Sequence, residues 1–129
     1  MAYNTRIEIM ESYIRIEVSG ERPRGREAEP SLEIWKEVAG FCEEHPKHAI
    51  LAVQNLSGRL PAGAAYQIGT SLDTVGIPRR TKIALVDLNI ESLPDNLFSA
   101  TVAQNRGYQG RVFSNEADAV QWLLEKTTG

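Results

Sequence analysis

The chain has a single cysteine, Cys42, so it can form no internal disulfide, and the sequence fits a reducing, cytoplasmic location. Long apolar runs are missing too. No stretch approaches the roughly 20 residues of a membrane-spanning helix, and Met1-Ala2-Tyr3-Asn4-Thr5-Arg6 lacks the apolar core of a signal peptide, so a soluble protein is expected. Excess charge of one sign is also absent: 14 basic against 17 acidic residues leave a formal net charge of -3. With the basic residues scattered apart from two short groups, that argues against a nucleic-acid groove or a dedicated membrane surface. His45 and His48 flank a proline with no second ligand pair at metal spacing, which argues against zinc. Gly58-Arg59-Leu60-Pro61-Ala62-Gly63 lacks the lysine and serine or threonine of a phosphate-binding P-loop. With no coherent catalytic set, the expectation is a non-enzyme that uses no cofactor or metal.

What is present is ordinary globular material, 42% apolar and 24% charged, of a length that suits one domain over residues 1–129. Its organising stretch is Lys82-Ile83-Ala84-Leu85-Val86-Asp87, an apolar run without alternation, as in a strand buried on both faces. Ala49 to Val53 has the same character, and Gln54 to Gly58 reads as a polar turn after it. Arg6 to Ile9 and Ile14 to Val18 alternate apolar with charged residues around a short turn, which predicts an antiparallel hairpin. Gly20 to Pro30 is polar and rich in proline and glycine, predicting an exposed, mobile loop.

Four helices follow from capping and spacing. Ser31 starts one that ends near His45-Pro46 and turns Leu32, Trp35, Val38, Ala39 and Cys42 inward, with Cys42 an inert core thiol. Pro61 opens a second, with Ala64, Ala65, Ile68, Leu72 and Val75 inward and Gly76 as its left-handed cap. A third begins at Ser92, Pro94 and Asp95, turns Leu97, Phe98, Thr101, Val102 and Asn105 inward, and stops at Gly107. After a last strand, Gly110 to Phe113, Ser114 or Asn115 caps a fourth helix with Ala117, Val120, Leu123 and Leu124 inward; Trp122 covers a sheet edge, and Thr127 to Gly129 should fray. Strand-strand-helix, then repeated strand-helix, implies an α/β domain with a mostly parallel mixed sheet of about five strands and an antiparallel first strand.

This order, with Gly76-Ile77-Pro78-Arg79-Arg80-Thr81-Lys82-Ile83-Ala84-Leu85-Val86, then Phe98, Val102-Ala103-Gln104-Asn105-Arg106-Gly107, and Val112-Phe113 to Ala119, Trp122 and Leu123, resembles the SpoIIAA-like group of small bacterial proteins with the STAS (or STAS/SEC14-type) fold. The resemblance implies a regulatory or protein-interaction module with its helices on one side of the sheet. Some of Ala49, Leu51, Val53, Ala84 and Val86 on the other face would then need cover, and self-association into a homo-oligomer is one way to supply it. The resemblance also implies a phosphorylatable serine in an Asp-Ser-Ser-Gly motif after the third strand. Here that region reads Asn55-Leu56-Ser57-Gly58, then Pro61-Ala62-Gly63-Ala64, and the switch serine is missing. By analogy with the SEC14 half of the group's label, a small-molecule or lipid carrier is the alternative, and it requires a pocket of several hundred Å³.

Three places are candidate binding sites. Ser57, Gly58 and Arg59 lie between a buried strand and a helix, where helix amides favour a small anionic ligand; a plain turn is the simpler reading. Arg79, Arg80 and Lys82 gather charge beside a helix C-terminus, suiting either the helix dipole or an acidic partner. Asp87 ends the organising strand at the rim, as a turn cap or as a base.

Overall fold

A computed structural model describes residues 3–125. The elements are β1 (Asn4–Ile9), β2 (Ile14–Glu21), α1 (Ala28–Glu44), β3 (Ala49–Ser57), α2 (Ala62–Ser71), β4 (Lys82–Asp87), α3 (Leu93–Asn105), β5 (Gln109–Phe113) and α4 (Glu116–Leu124). The strands lie side by side in chain order, with β1 antiparallel to β2 and all other pairs parallel. Each crossover advances one strand in the same direction, so the right-handed rule puts α1, α2 and α3 on one face.

The organising strand is buried on both faces, as its composition demands. Ile83 lies with Ile16, Ile50, Val38, Ala65 and Ile77 in the core beneath α1 to α3. Ala84 and Val86 lie with Leu51 and Val53 in a second core on the back of the sheet, closed by Ala119 and Leu123 of α4. The expectation that all helices share one side therefore fails at α4. It rounds the β5 edge and covers the apolar back surface, which removes the reason for seeking cover from another copy there.

Side-chain contacts hold α4 in place. Arg15 of β2 donates from Nε and Nη2 to the two carboxylate oxygens of Glu116, each at 2.9 Å. This fork holds the Glu116 carboxyl below its ordinary range, chiefly through the hydrogen bond. Lys82 donates to the Trp122 carbonyl at 2.5 Å and sits 4.4 Å from the Trp122 ring centroid, while that ring packs on Phe113. Trp122 thus covers the β4–β5 side of the sheet, between Lys82 at the start of β4 and Phe113 at the end of β5.

Several boundaries differ from the sequence expectation. Helix α1 starts at Ala28, because Pro30 fits a first turn whose amides need no helical partner; Ser31 is inside the helix and buried. Strand β3 runs on through Gln54 to Ser57, which pair with Val18 to Glu21. On α3 the inward face carries Asn96, Ser99, Val102 and Ala103, whereas Leu97, Phe98, Thr101 and Asn105 are exposed. On α4, Ala119 replaces Ala117 and Leu124 in the inward set. The fraying proposed for Thr127 to Gly129 lies outside the described residues.

Helix ends agree better. Regular α2 stops at Ser71, short of the expected Val75, but the turns after it close as expected: the Ile77 amide donates to the Leu72 carbonyl at 3.0 Å around Gly76, whose φ of +103° is the left-handed geometry that a glycine supplies. Asn115 caps α4 by accepting from the Asp118 amide at 2.9 Å. Cys42 is half-buried on α1, and burial pushes its thiol pKa up. Its reaction with a disulfide reagent at neutral pH is expected to be at least about tenfold slower in the native protein than in urea, measured by thiolate release.

Candidate functional site

Strands β3 and β4 keep one phase to their ends on the helix-covered face: Ile50, Ala52, Gln54 on β3 and Ile83, Leu85, Asp87 on β4, with Gln54 opposite Asp87. A polar pair therefore replaces apolar residues at the last layer of the core. Helix α3 meets it with Asn96, which explains why that residue faces inward at the expense of Leu97; Ser99, one turn on, lies where α3 packs against Gly69 of α2.

Asp87 is 2% exposed. Its Oδ1 accepts from the Asn89 amide at 2.9 Å, closing the turn after β4, and its Oδ2 accepts from Ser92 Oγ at 2.7 Å and Asn96 Nδ2 at 2.6 Å. Asn96 also reaches Gln54 Oε1 at 3.4 Å. On the other side of Gln54 lies Arg22, whose Nη2 donates to Oε1 at 3.4 Å and whose Nη1 donates to the Gly58 carbonyl at 2.7 Å. Arg22, Gln54, Asn96 and Asp87 thus form one buried chain with a cation at one end and an anion at the other. Burial pushes the Arg22 pKa down, and the Asp87 charge pushes it back up.

Arg22 was expected in an exposed, mobile loop, yet it is buried. The missed signal is that the inward phase of β2, Ile14, Ile16, Val18 and Gly20, arrives next at residue 22.

The rim residues are equally committed. Arg59 donates from Nε and Nη2 to both oxygens of Asp95 at 2.8 Å, and the Leu60 amide adds 3.0 Å to the same carboxylate. The Arg59 fork holds the Asp95 carboxyl below its ordinary range. This clasp between the β3–α2 loop and α3 is therefore complete at neutral pH and is lost only as pH falls through that lowered value. Ser57 is exposed and donates to the Gly20 carbonyl at 3.4 Å, and Gly58 takes a φ of +90° that lets the chain turn toward Arg22.

Arg79 and Arg80 do not join them. They precede β4 while Asp87 ends it, and the strand separates the two ends by about 17 Å at ~3.3 Å per residue. Arg79 pairs with Asp73 at 3.0 Å beside the end of α2, and Arg80 is exposed.

The volumes at this end of the molecule are modest. A partly open cavity of about 50 Å³ is lined by Arg22, Gln54, Asn96 and Ser99 together with Trp35, Leu60 and Leu72. That is room for a few water molecules and falls well short of an acyl chain or a drug-sized ligand. An open groove of about 630 Å³ outside it is lined by Arg22, Arg24 and Arg59, with Glu21 and Glu27 among them. Two of those three arginines are already bound, so the groove offers little free positive charge. Ser92 touches Asp87 but is fully buried, and its hydroxyl is spent on that carboxylate. The strands also run in order without reversal, so the crevice of doubly wound sheets is not created. Among the described residues no helix is long and apolar enough to cross a membrane.

No family model and no curated protein matches the sequence. The architecture is similar to the crystal structure of an anti-sigma factor antagonist from Mycobacterium paratuberculosis, with a TM-score of 0.60 at 10% identity over 96% of each chain. The five-stranded mixed sheet and four helices are those of a SpoIIAA-like STAS fold.

Proposed function

From this shared fold we propose that the chain is a regulatory module that acts by binding another protein in a reducing compartment, with no reaction of its own and no phosphorylatable serine switch. One observation carries the reading. Between residues 88 and 98, on the β4–α3 connection and the first turns of α3, four large apolar side chains stand in solvent: Leu88, Ile90, Leu97 and Phe98, with Ile90 83% exposed. Each of these side chains alone would be unexceptional, but their concentration in the one segment that also carries Asp95 is the reason for reading a docking surface there.

Affinity capture from a lysate of the native host tests this, with Ile90→Asp/Phe98→Asp as the comparison. Both positions are exposed, so the melting temperature should stay within a few degrees. A protein retained by the wild type is expected to be depleted at least about tenfold by the double substitution, a loss of ~1.4 kcal/mol or more. Ser57→Ala and Ser57→Asp should leave the capture unchanged. Equal recovery with the double variant would remove the surface from the reading, and loss of the protein with Ser57→Asp would restore a serine switch.

A further inference from the structure

Two strands bound the sheet, β1 and β5, and each has one side facing away from the ladder. In β1 the direction of every backbone group is fixed by the hairpin. The Met10 amide donates to the Tyr13 carbonyl at 2.9 Å, so the even-numbered residues direct N–H and C=O toward β2. Thr5, Ile7 and Ile9 therefore direct theirs outward.

We propose that this edge is an interface with a second copy of the chain, paired antiparallel about a two-fold axis through Ile7. In that register Ile7 faces Ile7 of the second copy and Thr5 faces its Ile9, so the outward amides and carbonyls exchange both hydrogen bonds at each opposed pair. Arg6 and Glu8 fall at the alternate positions, where opposed side chains come closest, and each meets the opposite charge. On the other face the half-buried Ile7 meets its twin, and Ile9, 38% exposed, gains cover.

The sequence of β1 selects this register over its neighbours. Moving the axis one residue back sets Arg6 against Arg6, and moving it one forward sets Glu8 against Glu8. Free edges are ordinarily defended by proline, a bulge or repelling charge. Strand β1 has no proline and pairs without a bulge from Asn4 to Ile9, and its charges are self-complementary in a single register. Strand β5 behaves in the opposite way, since the same operation about its centre opposes Arg111 to Arg111. The apolar back of the sheet is already occupied by α4, so the β1 edge does not compete with that surface for a second copy.

Sedimentation velocity of the full chain, from micromolar to sub-millimolar concentration, reads the outcome. A dimer is expected. Arg6→Glu should weaken it tenfold or more by opposing carboxylates at both symmetric positions, and Arg6→Glu/Glu8→Arg should recover most of it, because the exchange keeps the charges complementary. Thr5→Pro removes an outward donor without touching the β2 ladder, so it should also favour the monomer while circular dichroism stays that of the folded chain. A wild type that sediments as a monomer throughout overturns the proposal. So does a dimer that survives both Arg6→Glu and Thr5→Pro undiminished. Either result leaves the docking surface on α3 untouched, because the two sites share no residue.

Discussion

Asp87→Leu is expected to cost about 3–4 kcal/mol, lowering the melting temperature by roughly 10 °C and the urea midpoint in proportion. The reason is the number of partners left without an acceptor. Ser92 Oγ, Asn96 Nδ2 and the Asn89 amide all converge on this carboxylate, and Ser92 and Asn96 are themselves buried. The substitution also strands the Arg22 charge, which Asp87 helps to support. Arg22→Met should therefore soften the loss: in the double variant Asp87→Leu/Arg22→Met the two costs should fall short of additivity by about 1 kcal/mol or more, because a buried charge pair removed whole is cheaper than one broken. Urea denaturation of the four proteins closes the cycle. A loss below about 1 kcal/mol in Asp87→Leu would mean that the carboxylate is not a structural acceptor, and would reopen its use as a base.

Gly69→Leu should be at least as damaging, at about 3 kcal/mol or more. Helices α2 and α3 approach so closely here that an added Cβ would lie 2.8 Å from both the Ser99 carbonyl oxygen and Val102 Cβ. Backbone cannot rotate out of the way, so the helices must part. For Gly69→Ala the terms compete: alanine gains up to about 1 kcal/mol of helix propensity, while overpacking costs about 1–3 kcal/mol, so a net loss near 1 kcal/mol is expected. Gly40→Ala, within α1 and with nothing near its added Cβ, should instead gain up to about 1 kcal/mol. Thermal melts of the three variants separate crowding from propensity; a stabilised Gly69→Ala would show that α2 and α3 are free to move apart.

The residues that wrote the fold plainly are those whose own backbone chemistry is restrictive. Gly107 stops α3 at positive φ, Gly76 closes at positive φ the turns that follow α2, and Asn115 starts α4 with its side chain. The apolar runs 49–53 and 82–87 became adjacent strands buried on both faces. What could not be read is what depends on partners distant in sequence. Leu97 and Phe98 look like an inward pair until Gln54 and Asp87, brought beneath α3 by the sheet, make Asn96 the better match. Arg22 looks like loop until the Gly58 carbonyl arrives to receive it. Of the candidate site, Asp87 as a turn cap was legible from its place at a strand end. The destination of Arg59 was not, since Asp95 is 36 residues away in sequence.

The side-by-side order of the strands bears on how the chain is made. Each strand from β1 to β5 docks against the one synthesised just before it, so the front of the sheet can assemble as the polypeptide leaves the ribosome. The back cannot. Leu51, Val53, Ala84 and Val86 stay wet until α4 emerges, so a nascent chain stalled after Phe113 would present a greasy plane to chaperones and to its neighbours on the same message.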